Sequence, residues 1–232
     1  MLRLLSFNIH GGRSLEGERD LTHVHALMQE HNIDIGVFQE METRKSRGKS
    51  TDDVVQLAGP ERPFHFIGAS ITDSHGWYGN LIVSRYPMTR CHVHNLETNR
   101  FLEPRNAIDA LVETPLGKIR VIGTHLSLVA RERWTEGKNL LRLMDDIEAR
   151  PVNPVFLMGD INEWRPTSNL IRHLNKLMKK VPCGATFPSF RPILRLDRVW
   201  HDSQFKVSVR VLRDRSIRRL SDHLPLVIEA GL

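Results

Sequence analysis

Short apolar runs dominate the pattern of this chain, and most are too brief for helices. "LRLLSFNI" comes first, followed by "IDIGVFQE", "FHFIGAS", "GNLIVSRYP" and "RNAIDALVET". Then come "GKIRVIGTHLS", "PVFLMGDIN", "LRLDRVW", "FKVSVRVL" and "LPLVIEA". Several are apolar at nearly every position, as expected of strands buried on both faces. In Lys206-Val207-Ser208-Val209-Arg210-Val211 polar and apolar residues alternate, which predicts one wet face. Helical periodicity appears in "LTHVHALMQEHN", with Asp20 as N-cap candidate. It returns in "RERWTEGKNLLRLMDDIEAR", where Leu140, Leu141, Met144 and Ile147 form an apolar stripe ended by Pro151 and Pro154. A shorter helix is predicted in "TSNLIRHLNKLM", capped by Thr167 or Ser168. About ten strands and three or four helices predict two packed sheets with helices outside, in one domain over residues 1–232.

Composition narrows the class. The 232 residues are 40% hydrophobic, ample for one core. Cys91 and Cys183 form no framework and no paired ligand spacing, and read as plain thiols in a reducing compartment. The first residues lack the apolar core of a signal peptide, and no stretch approaches the ~20 apolar residues of a membrane span. The expectation is a soluble, cytoplasmic monomer without stable membrane insertion. Net charge is +6 and the sequence pI about 9.7, which suits a polyanionic partner: nucleic acid, a phosphorylated substrate or an anionic membrane surface. "RVLRDRSIRR" and "KLMKK" read as solvated faces, and too few aromatics interleave with them for a stacking platform.

Polar residues interrupt the ends of these buried runs. Asn8, Glu40, His125, Asp160 with Asn162, Asp197, and Asp222 with His223 all stand at such places. Strand ends of a layered sheet converge on one rim, where ligand sites form. A shared rim would gather acidic, amide and imidazole groups in one cleft.

"SFNIHGG", "VFQE", "YGNLIVSRYP", "EPRNAIDA", "GTHLS", "GDIN", "LDRVW" and "SDHLP" occur in an order that resembles the endonuclease/exonuclease/phosphatase superfamily. That superfamily includes pancreatic-type deoxyribonucleases, base-excision-repair endonucleases, neutral sphingomyelinases and inositol polyphosphate 5-phosphatases. The chain looks most like a compact bacterial group of metal-dependent hydrolases with unassigned substrate. The resemblance implies an α/β fold, a four-layer α/β/β/α sandwich of deoxyribonuclease type, and Mg²⁺- or Mn²⁺-dependent phosphoester hydrolysis.

A hard divalent cation answers the two difficulties of attack on an anionic phosphoester, repulsion of the nucleophile and charge on the leaving oxygen. The resemblance makes Glu40 the leading metal ligand, with Asn8 offering an amide oxygen and Asp222 binding directly or through water. A second ion near Asp160, Asn162 and His223 is left open. His223, with an ordinary pKa of ~6.5, can accept a proton from water. By resemblance, Asp197 orients it. Asp160 would hold the water and Asn162 would donate to a phosphoryl oxygen; both share a face if their strand continues. His125 would donate to the transition state or leaving group. Asn80 and Arg105 look like phosphate-side groups, Arg105 competing with a salt bridge to Glu103 or Asp109. Ser221 reads as a turn former. His10, His23, His25 and His31 are declined as metal ligands. Trp77, Tyr78 and Trp164 suit pocket walls and packing equally.

The substrate stays open among phospholipid-derived, nucleotide and nucleic-acid phosphoesters. Repair endonucleases typically carry tyrosine where His125 stands, and the chain is compact for DNA-gripping insertions or a membrane-inserting apolar hairpin. A DNA-repair nuclease and a non-catalytic phosphate or nucleic-acid binder are the competing readings. The latter has no need for an Asp197–His223 pair.

Overall fold

The structure is a computed structural model that describes residues 1–44, 50–96, 103–148, 153–202 and 204–231. The first sheet holds β1 (Leu2–Asn8), β2 (Ile35–Glu42), β3 (Phe64–Asp73) and β4 (Gly76–Ser84). The second holds β5 (Met88–Asn95), β6 (Asn106–Thr114), β7 (Gly117–His125), β8 (Val155–Asp160), β9 (Lys179–Val181) and β10 (Asp197–His201). The chain then returns to the first with β11 (Lys206–Val211) and β12 (Leu226–Gly231). Strand order is β11-β12-β1-β2-β4-β3 in one sheet and β5-β6-β7-β8-β10-β9 in the other. The helices are α1 (Thr22–Glu30), α2 (Ser50–Ala58), α3 (Ala130–Glu148) and α4 (Asn169–Leu177).

Period-two alternation sorts the apolar residues into three cores. Leu4, Val37, Ile82 and Ile228 of the first sheet meet Ile108, Val121, Met158 and Val199 of the second. Leu5, Phe7, Phe38 and Leu81 face outward to Val24, Leu27 and Met28 of α1 and to Val54 and Leu57 of α2. On the other side, Ile122, Leu157 and Trp200 receive Leu140 and Met144 of α3 and Ile171 and Leu174 of α4. Each fully buried aliphatic or phenyl side chain contributes about 1.5–3 kcal/mol, so both faces of both sheets must be covered. The result is the expected four-layer α/β/β/α sandwich. No helix among the described residues is long and apolar enough to cross a membrane.

Several local expectations change. The described residues hold twelve strands, because β5 and the three-residue β9 were too polar or short to stand out. Helix α2 also escaped, its stripe being only Val54, Leu57 and Ala58. Leu21, not Asp20, occupies the cap position of α1, although the Asp20 carboxylate accepts from Thr22 N at 2.7 Å. Ser168 caps α4 and accepts from Ile171 N. Pro151, expected to end α3, lies outside the described residues.

Candidate active site

Strand polarity brings the polar ends together. β1 runs parallel to β2 and β7 parallel to β8, while β10 enters antiparallel with Asp197 opposite Asp160 and His125 opposite Asp160 on the far side. β2 does not stop at Glu40 as expected. It continues to Glu42, and its pairing with β4 slips between Phe38 and Met41. Glu40 sits in that bulge at φ 57. Bulges re-aim a side chain, and a non-glycine residue held at such a φ stores on the order of 1–3 kcal/mol. Among the described residues five non-glycines have positive φ, and His10, Glu40 and Asn162 are three of them.

Asn8 clamps two carboxylates. Its Nδ2 donates to Glu40 Oε1 at 2.8 Å and to Asp160 Oδ2 at 3.1 Å, while its Oδ1 accepts from His10 N at 3.1 Å. It therefore presents its NH₂ to the carboxylates, not the oxygen expected of a ligand. β8 ends at Asp160, so the strand does not continue through Asn162. Asn162 instead turns at φ 52, and its N–H closes onto Asp160 Oδ1 at 2.9 Å. Its Nδ2 donates to Leu126 O at 2.8 Å and lies 3.1 Å from His125 Nε2.

His223 Nδ1 stands 2.9 Å from Asp197 Oδ2, and its Nε2 faces Asp160 Oδ2 across 3.6 Å. The Phe187 ring packs over the imidazole with centroids 4.9 Å apart. Ser221 fixes the approach: its Oγ donates to Asn8 O and accepts from His223 N. Asp222 is half-exposed, its Oδ1 3.7 Å from His10 Nδ1. His10 also lies 3.6 Å from Glu40 Oε2, so this residue, declined as a metal ligand, does reach the rim that its closeness to the first motif hinted at. The one signal was its place two residues after Asn8. Phe187 lies in "TFPS", a stretch that also resembles the bacterial hydrolases, but nothing in the sequence marked it for a role of its own.

Arg105 does two things. Its Nη1 lies 2.7 Å from Glu103 Oε1 and 3.0 Å from His125 Nδ1; Asp109 pairs with Arg120 and His94 instead. A guanidinium can only donate, so the Arg105 contact makes His125 Nδ1 the acceptor and puts the proton on Nε2, and Asn162 Nδ2 at 3.1 Å then makes no hydrogen bond to that nitrogen. Asn162 Nδ2 and His125 Nε2–H are then two neighbouring donors that an anionic oxygen can share. Asn80 is buried and spends its Nδ2 on Asn106 O and Oδ1, between the two sheets. Tyr78 is partly buried, and burial with the charges of Glu40 and Glu103 holds its phenol protonated. Trp77 packs into the core, whereas Trp164 is exposed.

Electrostatics separates the titratable groups. Burial works against Glu40 ionising, yet His10, His125 and Asn8 outweigh it and bring its pKa to about 2. Burial and the Arg105 charge lower His125 to about 3, so it is neutral. Asp160, almost fully buried and near Asp197, is pushed well up. For His223, burial favours the neutral form, but Asp197 and Asp160 prevail and raise it to about 10.

The donors fit a hard cation. Asp160, Asp197 and His223 offer atoms within 4.8 Å of one another, although Asp197 and His223 turn to each other at 2.9 Å, and Asp197 Oδ1 is buried without a hydrogen-bond partner. Asp160 and Glu40 converge on one amide, a concentration of carboxylate oxygen that suits Mg²⁺.

The fold has counterparts among known proteins. A model described as the Endonuclease/Exonuclease/phosphatase family matches residues 5–223. The uncharacterized protein YbhP of Escherichia coli strain K12 is 29% identical over 165 residues, 68% of this chain. The match spans 64% of that relative's length. Among solved structures, an endonuclease/exonuclease/phosphatase from Beutenbergia cavernae superposes with TM-score 0.78 at 22% identity, over 100% of this chain and 71% of its own. A mannosyl-6-phosphatase from Bacteroides thetaiotaomicron gives 0.81 at 16% identity, and a humanized D. rerio TDP2 gives 0.74 at 16%. The phosphatase is covered over 100% of both chains, TDP2 over 100% of this chain and 99% of its own.

Proposed function

The chain belongs to the endonuclease/exonuclease/phosphatase family, and on that premise we propose that it is a Mg²⁺- or Mn²⁺-dependent phosphoester hydrolase. The observation that carries this reading is the buried Asp197–His223 pair, 2.9 Å apart, whose free Nε2 faces Asp160. A binding module gains nothing from a buried base–orienter pair whose charges cost desolvation.

Glu40 and Asp160 would hold the cation, with Asp222 on the open side and Asn8 giving up its bridging hydrogen bonds. When bound, the cation would offset negative charge on the phosphoryl oxygens and on Asp160, which lets His223 release its proton near neutrality. His223 Nε2 then takes a proton from the attacking water while Nδ1–H stays on Asp197. Asp160 accepts the water's other hydrogen bond. His125 Nε2–H and Asn162 Nδ2 donate to oxygen charge that grows in the transition state. Arg105 keeps that proton on Nε2 by donating to Nδ1. Asn80 ties the sheets beneath the site.

Hydrolysis of bis-p-nitrophenyl phosphate with Mg²⁺ or Mn²⁺ tests the reading. Chelation should abolish turnover, and His223→Ala should lower kcat by about 10²–10⁴-fold. Unchanged turnover in His223→Ala would refute the mechanism. Metal-independent DNA binding without turnover would favour a non-catalytic binder.

A further inference from the structure

Eleven large hydrophobic side chains are exposed among the described residues. Six of them lie on three segments that adjoin the cleft. Leu128 (69% exposed), Val129 and Trp134 follow His125; Trp164 (60%) follows Asn162; Phe190 (65%) and Ile193 (70%) precede Asp197. These segments touch. A cleft of about 680 Å³ is lined by Leu128 and Trp134 from the first and Trp164 from the second. Ile161 N donates to Leu196 O at 3.0 Å, which ties the second segment to the base of the third, and Arg198 Nη2 of β10 donates to Glu163 O at 2.8 Å just beyond it.

The third segment is a hairpin closed by the Phe187–Leu194 bridge, with Phe187 against the His223 ring. Its tip, Phe190-Arg191-Pro192-Ile193, carries both exposed apolar residues, which the compact sequence did not lead us to expect, and Pro192 within it and Pro188 before it limit its freedom. A stiff tip presents apolar surface without an ordering cost at binding.

Charge follows the same surface. Residues 126–134, 161–172 and 187–196 hold five exposed arginines, Arg131, Arg165, Arg172, Arg191 and Arg195, against two glutamates, with no lysine or aspartate; Arg133 is buried. Arg218, from the basic run that the hydrolase reading leaves unused, donates from Nη1 to Phe190 O at 3.0 Å. Contiguous exposed apolar side chains among polar ones mark an interaction surface. Guanidinium groups match phosphate oxygens as a fork and rest their stems on apolar surface. Indole rings favour a boundary that is apolar on one side and wet on the other.

We propose that this collar docks the cleft onto an anionic phospholipid bilayer, so that the phosphoester cleaved is a lipid headgroup at the membrane surface. The proposal rests on the hydrolase reading and adds where its substrate resides. Trp134, Trp164 and Phe190 offer faces on which bases could stack, but Leu128, Val129 and Ile193 offer none and favour hydrocarbon over single-stranded nucleic acid. They suit hydrocarbon at the depth reached by peripheral proteins.

The test uses the full chain in chelator, so that binding is read without turnover, with vesicles of phosphatidylcholine alone or mixed equally with phosphatidylglycerol. Sedimentation should show binding to the mixed vesicles only, weakened by salt. Of the four tryptophans Trp77 and Trp200 are buried, so a blue shift in emission reports Trp134 and Trp164. Phe190→Ser with Ile193→Ser, and separately Leu128→Ser with Trp164→Ser, should each weaken binding about tenfold or more. Both pairs should keep the thermal midpoint and the hydrolysis of soluble bis-p-nitrophenyl phosphate. Three results would overturn the proposal: no binding to the mixed vesicles, preferential binding of a single-stranded oligonucleotide lost in the same variants, or self-association in light scattering abolished by them. Failure of wild type to cleave the soluble diester with vesicle binding intact would sink the hydrolase reading instead.

Discussion

Asp160 stands between the amide and imidazole groups of the cleft. It is 1% exposed, and its Oδ2 has three nitrogens around it: Asn8 at 3.1 Å and His125 and His223 at 3.6 Å each. Burial raises its pKa, so the folded protein binds that proton more tightly than the unfolded chain does. The contribution of Asp160 to stability therefore falls as pH rises from its ordinary 3.8 toward neutrality. Asp160→Asn removes this dependence. In chelator, urea unfolding should show the variant gaining on wild type across that window, by about 1–2 kcal/mol at pH 8. Turnover in Mg²⁺ should fall by about 10²-fold or more in the same variant. A variant that loses stability relative to wild type as pH rises would contradict the assignment.

At the scale of elements, the approach of β7 to β8 sets the spacing between His125 and Asp160. Gly159 permits it. A Cβ there would lie 2.0 Å from the Thr124 carbonyl oxygen, at a φ of 142 that other residues rarely adopt. Gly159→Ala should cost about 2–4 kcal/mol in urea unfolding and also lower kcat, because the two strands that carry Asp160 and His125 must separate. The bulge in β2 works the same way for Glu40. An unbroken register would turn that carboxylate to the opposite face of the sheet. Neither constraint shows in a hydrophobic pattern, since Gly159 sits in an unbroken buried run and Glu40 at the polar end of one.

For the whole molecule, gathering Glu40, Asp160 and Asp222 at one end of the sandwich concentrates negative charge that a divalent cation can offset. A cation that binds only the folded chain stabilises it by linkage. At about 100 times its Kd, Mg²⁺ should add about 2.7 kcal/mol, a rise of about 5–10 °C in Tm. Glu40→Gln should flatten that titration while folding normally in chelator. Equal shifts in wild type and variant, read by differential scanning calorimetry, would remove Glu40 from the cation site.

The chain's own pattern determined the two sheets, their principal helices and the set of polar residues at strand ends. These are short-range signals: period two, period 3.6 and a polar residue closing an apolar run. The ordered blocks from Asn8 to His223 carried the family as well. Only the tertiary structure decided how those residues are arranged. The positive φ of Glu40, the NH₂ that Asn8 turns to two carboxylates, and the proton that Arg105 keeps on His125 Nε2 each depend on partners distant in sequence. The contacts of His10 with Glu40 and Asp222, and the cleft that Leu128, Trp134 and Trp164 share, likewise form only when distant segments meet. Hydrogen-bond direction and local dielectric are set by neighbours in space, and a linear pattern does not contain them.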